Sequence, residues 1–258
     1  DIQREPGEFL FSSVLMLDLS GSIVESENLS KLKEAATGFI EQTMPGEEES
    51  LHGTREMAVY WFDGEEDIHS LTFFTADRDS LISSVESIDE DISEDRSTNL
   101  NGAVVQGLSL LDSRVEEIRS DEDNEDMATA GSMVLFTDGT DQADIVTTDE
   151  ALDTVNNASR QHSLFTIGLG GEIDEDILKS FGTSGFELAE DSLQLNDSFL
   201  AIAQRLESTS NSYYVLEYCS PKRAGEHTLE LRALYEDKFG SFETEFSAEG
   251  FTGGCSID

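Results

Sequence analysis

The chain has 258 residues and carries 56 acidic against 15 basic side chains, a formal net charge of −41. That length suits one sizeable core with a small appendage, and the charge argues against nucleic acid or anionic lipid as partners, since both are held by basic patches. No apolar run reaches the roughly 18 residues that a membrane-spanning helix needs, so direct membrane insertion is not expected.

Val14–Leu17 reads as a buried strand running into Asp18. Leu29, Leu32, Ala36, Phe39 and Ile40 then recur at helical spacing, and Pro45-Gly46 ends that helix. Met57–Phe62 and Ile68–Phe73 are predicted strands joined at Asp63-Gly64 as a hairpin-like pair. Leu81, Val85 and Ile88 mark a short helix, and Leu100, Val104, Leu108, Leu111, Val115 and Ile118 line one face of a long one. Met133–Phe136 is a strand, Ala151–Ala158 a helix and Leu164–Ile167 a further strand. Ile177, Leu178 and Phe181, then Leu193–Leu206, supply the last two helices. This alternation predicts an α/β fold with a mainly parallel sheet wrapped by helices. Beyond about residue 212 the pattern changes to three strands, Tyr213–Tyr218, Thr228–Leu234 and Phe242–Phe246, with turns at Pro221 and near Lys238–Gly240.

The chemistry gathers where apolar strands give way to loops. Val14–Leu17 runs into Asp18-Leu19-Ser20-Gly21-Ser22, Val134–Phe136 runs into Thr137-Asp138-Gly139, and Ser97-Thr98-Asn99 precedes the long helix. The ends of parallel strands are where open α/β sheets place their ligands. Carboxylates and hydroxyls are hard oxygen donors, suited to Mg²⁺, Mn²⁺ or Ca²⁺ rather than to softer ions. Asp18 and Asp138 supply about two negative charges, enough to neutralise a dication. Ser20, Ser22 and Thr98 are neutral donors, so the ion would keep an affinity for one more anionic oxygen.

On these three motifs the chain resembles the von Willebrand factor type A (vWA) family with a complete metal-ion-dependent adhesion site, as in secreted or surface-attached bacterial vWA proteins. Asp18-Leu-Ser-Gly-Ser22 matches the family's D-x-S-x-S, Thr98 its lone threonine, and Asp138 the aspartate of its T-D-G. The resemblance implies a Rossmann-like vWA domain over residues 11–210. Residues 211–258 would form a C-terminal β extension, packed with residues 1–10. It implies one divalent cation, Mg²⁺ foremost with Mn²⁺ or Ca²⁺ as alternatives, held by Asp18, Ser20, Ser22, Thr98 and Asp138. A protein partner's Asp or Glu would complete the coordination, and Leu19, Ile23, Asn99 and Thr140 would form the rim.

Cys219 and Cys255 are the only cysteines. In a protein of adhesion type they read as a disulfide closing a loop of 36 residues, which would contribute on the order of 3–4 kcal/mol and imply an oxidising, extracytoplasmic setting; two buried free thiols are the alternative. The chain opens at Asp1 without methionine, as a mature form or an excised piece would. The acidic run Ser120–Asp126 is not an EF-hand loop: counted from Asp121, Asp126 and Ser132 stand where Gly and Glu are needed. Asp141 and Asp144 read as loop-forming residues, with an outer shell of the metal or a neighbouring cation site as the alternatives. Enzymatic readings lack a base: His52, His69, His162 and His227 are scattered, and Ser20 lacks the glycines of a nucleophile elbow. A cation-dependent protein-binding domain that is not an enzyme is therefore expected. The rival readings are an intracellular assembly or chaperone subunit working with a motor ATPase, a metal-dependent hydrolase, and a fold whose metal is purely structural.

Overall fold

The computed structural model describes residues 9–47, 49, 51, 53–121, 127–212, 222, 224–235 and 238–250. The chain divides into two compact units, 1–215 and 216–258.

The larger unit is built on a six-stranded sheet. Its strands are β1 (Phe9–Asp18), β2 (Arg55–Phe62), β3 (His69–Thr75), β4 (Ala128–Thr137), β5 (His162–Leu169) and β6 (Gly185–Ala189). Their order is β3-β2-β1-β4-β5-β6; all pairs are parallel except the β2–β3 hairpin. The helices are α1 (Gly21–Val24), α2 (Asn28–Thr43), α3 (Arg78–Glu86), α4 (Leu100–Ser120), α5 (Thr148–Ala158), α6 (Glu175–Phe181) and α7 (Leu195–Ser210). This is the α/β architecture that the strand and helix periodicities predict.

Alternation along β1 explains the layering. Phe11, Leu15 and Leu17 join a core with Leu32 and Phe39 of α2, Leu81 of α3 and Phe199 and Ile202 of α7. Val14 and Met16 point the other way, to Val104 and Leu108 of α4, Val155 of α5 and Phe181 of α6. Successive strand side chains face opposite sides, so a strand apolar at nearly every position needs both faces covered. Polar groups inside the sheet are paired: Ser12 Oγ donates to Glu56 Oε1 at 2.7 Å, Arg114 grips both Glu56 oxygens at 2.7 and 2.8 Å, and Ser13 and Ser132 share a hydrogen bond of 3.0 Å.

Local capping fixes where the helices begin. Asp77, Asn99, Thr147 and Asp174 accept backbone N–H bonds in the first turns of α3, α4, α5 and α6. After β1 the chain crosses one face through α2 to reach β2, whereas β4 follows α4 on the opposite face. Connections diverge between β1 and β4, and a crevice opens beyond their C-terminal ends, the switch point where such sheets bind ligands.

Two elements were not expected from the sequence: the single turn α1 and the strand β6. Gly-Phe-Glu-Leu-Ala of β6 is only half buried, so it carries neither the apolar run nor the clean alternation that marks a strand. In the second unit, β7 (Glu226–Tyr235) and β8 (Lys238–Ser247) pair antiparallel along their whole length. The ladder closes with Tyr235 opposite Lys238, so the chain reverses beside Lys238, near where the sequence places a turn. The expected strand Tyr213–Tyr218, the turn at Pro221, the pair Cys219 and Cys255, and most of residues 1–10 lie outside the described residues.

Candidate metal centre

Asp18 is the last residue of β1, and nothing of it is exposed. Its Oδ1 accepts the Ser20 N–H at 2.9 Å, and its Oδ2 accepts the Thr137 hydroxyl at 2.5 Å. The tight turn that follows aims Ser20 Oγ and Ser22 Oγ at each other, 3.4 Å apart. Ser22 Oγ donates in turn to Asp138 Oδ1 at 2.8 Å. Four of the five expected donors therefore form one continuous chain of contacts across the β1 and β4 loops.

Thr98 joins from the start of α4. It is buried, its carbonyl accepts N–H bonds from Gln142 and Ala143 at 2.8 and 3.2 Å, and its Oγ1 lies 3.5 Å from where a Cβ on Gly139 would stand. The backbone thus clamps the Thr98 segment to the loop bearing Asp138. Gly21 has a steric role: a Cβ there would sit 2.9 Å from Arg96 Cβ, while its N–H donates to the Arg96 carbonyl at 3.1 Å. A side chain at that position would push two loops of the site apart.

The electrostatics fit a dication. Burial, with the nearby Asp138 carboxylate adding to it, pushes the Asp18 carboxyl up to about 7, against the hydrogen bonds from Ser20 and Thr137. Burial also raises Asp138, with Glu172 adding to the effect and the Ser22 hydroxyl opposing it. Among the described residues, no cationic side chain figures in the interactions acting on either acid. Two desolvated carboxylates thus converge with hydroxyls and no counter-charge, and a hard divalent ion would supply what they lack.

A von Willebrand factor type A domain model matches residues 14–200. The chain belongs to that family. No curated protein matches the sequence, but solved structures share the fold. BatB from Bacteroides thetaiotaomicron is 14% identical, with 78% of this chain and 100% of that one covered at a TM-score of 0.58. The vWF domain of the type V pili tip protein Mfa5 from Porphyromonas gingivalis is 13% identical, with 82% and 99% covered at 0.57. Manganese-loaded TRAP protein from Plasmodium vivax is 14% identical, with 95% and 96% covered at 0.56.

The vWA loops of this chain link Asp18, Ser20, Ser22 and Asp138 and hold Thr98 beside Gly139, but the expected rim is different. Leu19 and Ile23 are fully buried and belong to the core between the sheet and α2. Asn99 is buried too: its Oδ1 caps α4 through Gly102 N–H, and its Nδ2 donates to the Glu65 and Glu66 carbonyls. Only Thr140 is partly exposed. The exposed residues adjoining the site are Ser22 itself, Arg96 with its ion-pair partner Glu25, Gln142 and Glu172. Asp141 acts as the loop-forming residue expected, accepting the Asn101 and Asp144 N–H groups at 3.0 and 3.2 Å. Thr137 is the residue that sequence reasoning left without a role. Its position before Asp138, at the end of a strand beside β1, was the available signal.

Proposed function

We propose that this vWA domain is a divalent-cation-dependent protein-binding module of adhesion type, not an enzyme, and that it works outside the cytoplasm, secreted or at a cell surface. Asp18, Ser20, Ser22, Thr98 and Asp138 would hold one ion, Mg²⁺ foremost, some directly and some through water. The bound ion would act as a Lewis acid whose remaining open position accepts an anionic oxygen. The hydroxyls and water are weak neutral donors, and a hard ion prefers an anionic oxygen to them, so that position favours an Asp or Glu of the partner. The observation that carries the reading is the buried Asp18 carboxylate facing Asp138 at the switch point of the sheet, with hydroxyls around it and no cation acting on it.

Selection of displayed random peptides on the Mg²⁺-loaded protein in high NaCl, with elution by EDTA, tests this. The expected peptides share an Asp or Glu whose change to Asn or Gln abolishes binding. Peptides that resist EDTA, or that show no acidic residue in common, would refute it.

A further inference from the structure

The turn between β2 and β3 carries a second cluster with different chemistry. Asp63, Glu65 and His69 bring two carboxylate oxygens and an imidazole nitrogen within 4.8 Å of one another. Asp63 is buried at 1% exposure, whereas the Glu65 and His69 side chains are 45% and 32% exposed. His69 Nε2 lies 3.2 Å from Glu65 Oε2 but off line for a hydrogen bond, so this buried atom has no hydrogen-bond partner. An unsatisfied buried ring nitrogen costs stability in a stable fold. We propose that Asp63, Glu65 and His69 form a second metal site, selective for a borderline transition ion such as Zn²⁺ over Mg²⁺.

The separation of His69 and Glu65 suits such an ion. Bonds of about 2.0 Å in a tetrahedron place neighbouring ligands about 3.3 Å apart, close to the 3.2 Å between Nε2 and Oε2. Imidazole suits Zn²⁺, Co²⁺ or Ni²⁺, whereas Mg²⁺ and Ca²⁺ take oxygen shells. Three protein ligands leave the fourth position of a zinc tetrahedron to water or to an incoming group.

The ligands are also held before any ion arrives. The His69 ring stacks on Trp61, its partner across the hairpin, at 4.2 Å between centroids and 18° between planes. Asp63 Oδ1 accepts the Glu65 N–H at 2.9 Å, and Oδ2 accepts the Ser93 hydroxyl at 2.8 Å. Oδ2 also accepts the Asp95 N–H at 3.4 Å, so Oδ1 is the oxygen that keeps a lone pair for an ion, and such outer contacts orient metal ligands. The turn itself is pinned: Asn99 N–H donates to the Asp63 carbonyl at 2.7 Å, and Gln106 Nε2 donates to the Glu66 carbonyl at 2.6 Å. Gly64 lets it pack so tightly, because a Cβ there would stand 1.8 Å from Ser97 Oγ.

The site shares no ligand with the centre at Asp18 and Asp138, so the two stand or fall separately. The test uses untagged protein in high NaCl, with Asp138→Ala as the parent so that Zn²⁺ cannot enter the first centre. Zn²⁺ calorimetry on that parent should show one saturable site, and Co²⁺ should give a visible absorption band that Zn²⁺ displaces. His69→Phe, which keeps a ring on Trp61, and Glu65→Gln, an exposed and nearly isosteric change, should each weaken Zn²⁺ binding at least about tenfold and remove the Co²⁺ band. In the wild-type background, the same two changes should leave the Mg²⁺ isotherm unaltered. Zn²⁺ isotherms that superimpose with and without His69→Phe and Glu65→Gln, or Zn²⁺ binding that never saturates, would overturn the proposal.

Discussion

Replacing Asp18 by Asn should stabilise the metal-free protein while destroying its cation site. Raising the Asp18 carboxyl from 3.8 to about 7 corresponds to on the order of 4 kcal/mol between the ionised and neutral native states. The sign follows from proton binding. Below pH 3.8 the group is protonated in folded and unfolded chains alike. Between 3.8 and about 7 the folded chain keeps a proton that the unfolded chain has released, so stability falls as pH rises. Above that window the full cost applies. Asn is neutral throughout and fits the same contacts: its oxygen can accept the Ser20 N–H, and its amide can donate to Thr137 Oγ1, whose own proton can turn to the Gly139 carbonyl 3.3 Å away. Urea denaturation in EDTA and high NaCl should therefore find Asp18→Asn more stable than wild type at pH 8, by a difference approaching 4 kcal/mol, shrinking to about 0.6 kcal/mol at pH 4. Saturating Mg²⁺ should raise the stability of wild type alone. A variant less stable than wild type at pH 8, or a difference that does not change with pH, would refute the reasoning.

The same proton competes with the ion. Mg²⁺ affinity should be level above pH 7 and fall about tenfold for each pH unit below it, as calorimetry across pH 5–8 would record. Arg114→Met would strand the Glu56 carboxylate, whose side chain is only 8% exposed, and should cost about 3 kcal/mol in urea melts; a loss under 0.5 kcal/mol would show that the pair is dispensable. Phe199 of α7 packs 6.1 Å from Phe39 and 5.8 Å from Phe136, centroid to centroid. Phe199→Ala should cost about 3–5 kcal/mol with the Mg²⁺ isotherm retained; a variant as stable as wild type would mean that α7 contributes little to the core.

Most of the fold was legible because the apolar patterning is strong. The long helix α4 shows its buried stripe from Leu100 to Ile118, and β1 and β4 are apolar because both their faces are covered. The metal donors were legible for a different reason: the spacing in Asp18-x-Ser20-x-Ser22 is set by a tight turn, so chain order already implies convergence. What escaped were properties that tertiary packing decides. Leu19 and Ile23 lie beside metal donors in sequence, yet both are in the core, Ile23 turned there by the one-turn helix α1. Asn99 adjoins Thr98 but spends its side chain on capping α4 and pinning the β2–β3 turn. His69 looked isolated because its partners, Asp63 and Glu65, meet it only when the hairpin folds back.

Asp18, Ser20, Ser22, Thr98 and Asp138 are proposed to form one divalent-cation site. Calorimetric titration of Mg²⁺ into wild type and Asp138→Ala, both in high NaCl to suppress loose binding by the acidic surface, tests it most directly. The account predicts a single saturable site in wild type that is absent from Asp138→Ala. An identical isotherm in the two proteins, or no saturable binding in wild type, would contradict it.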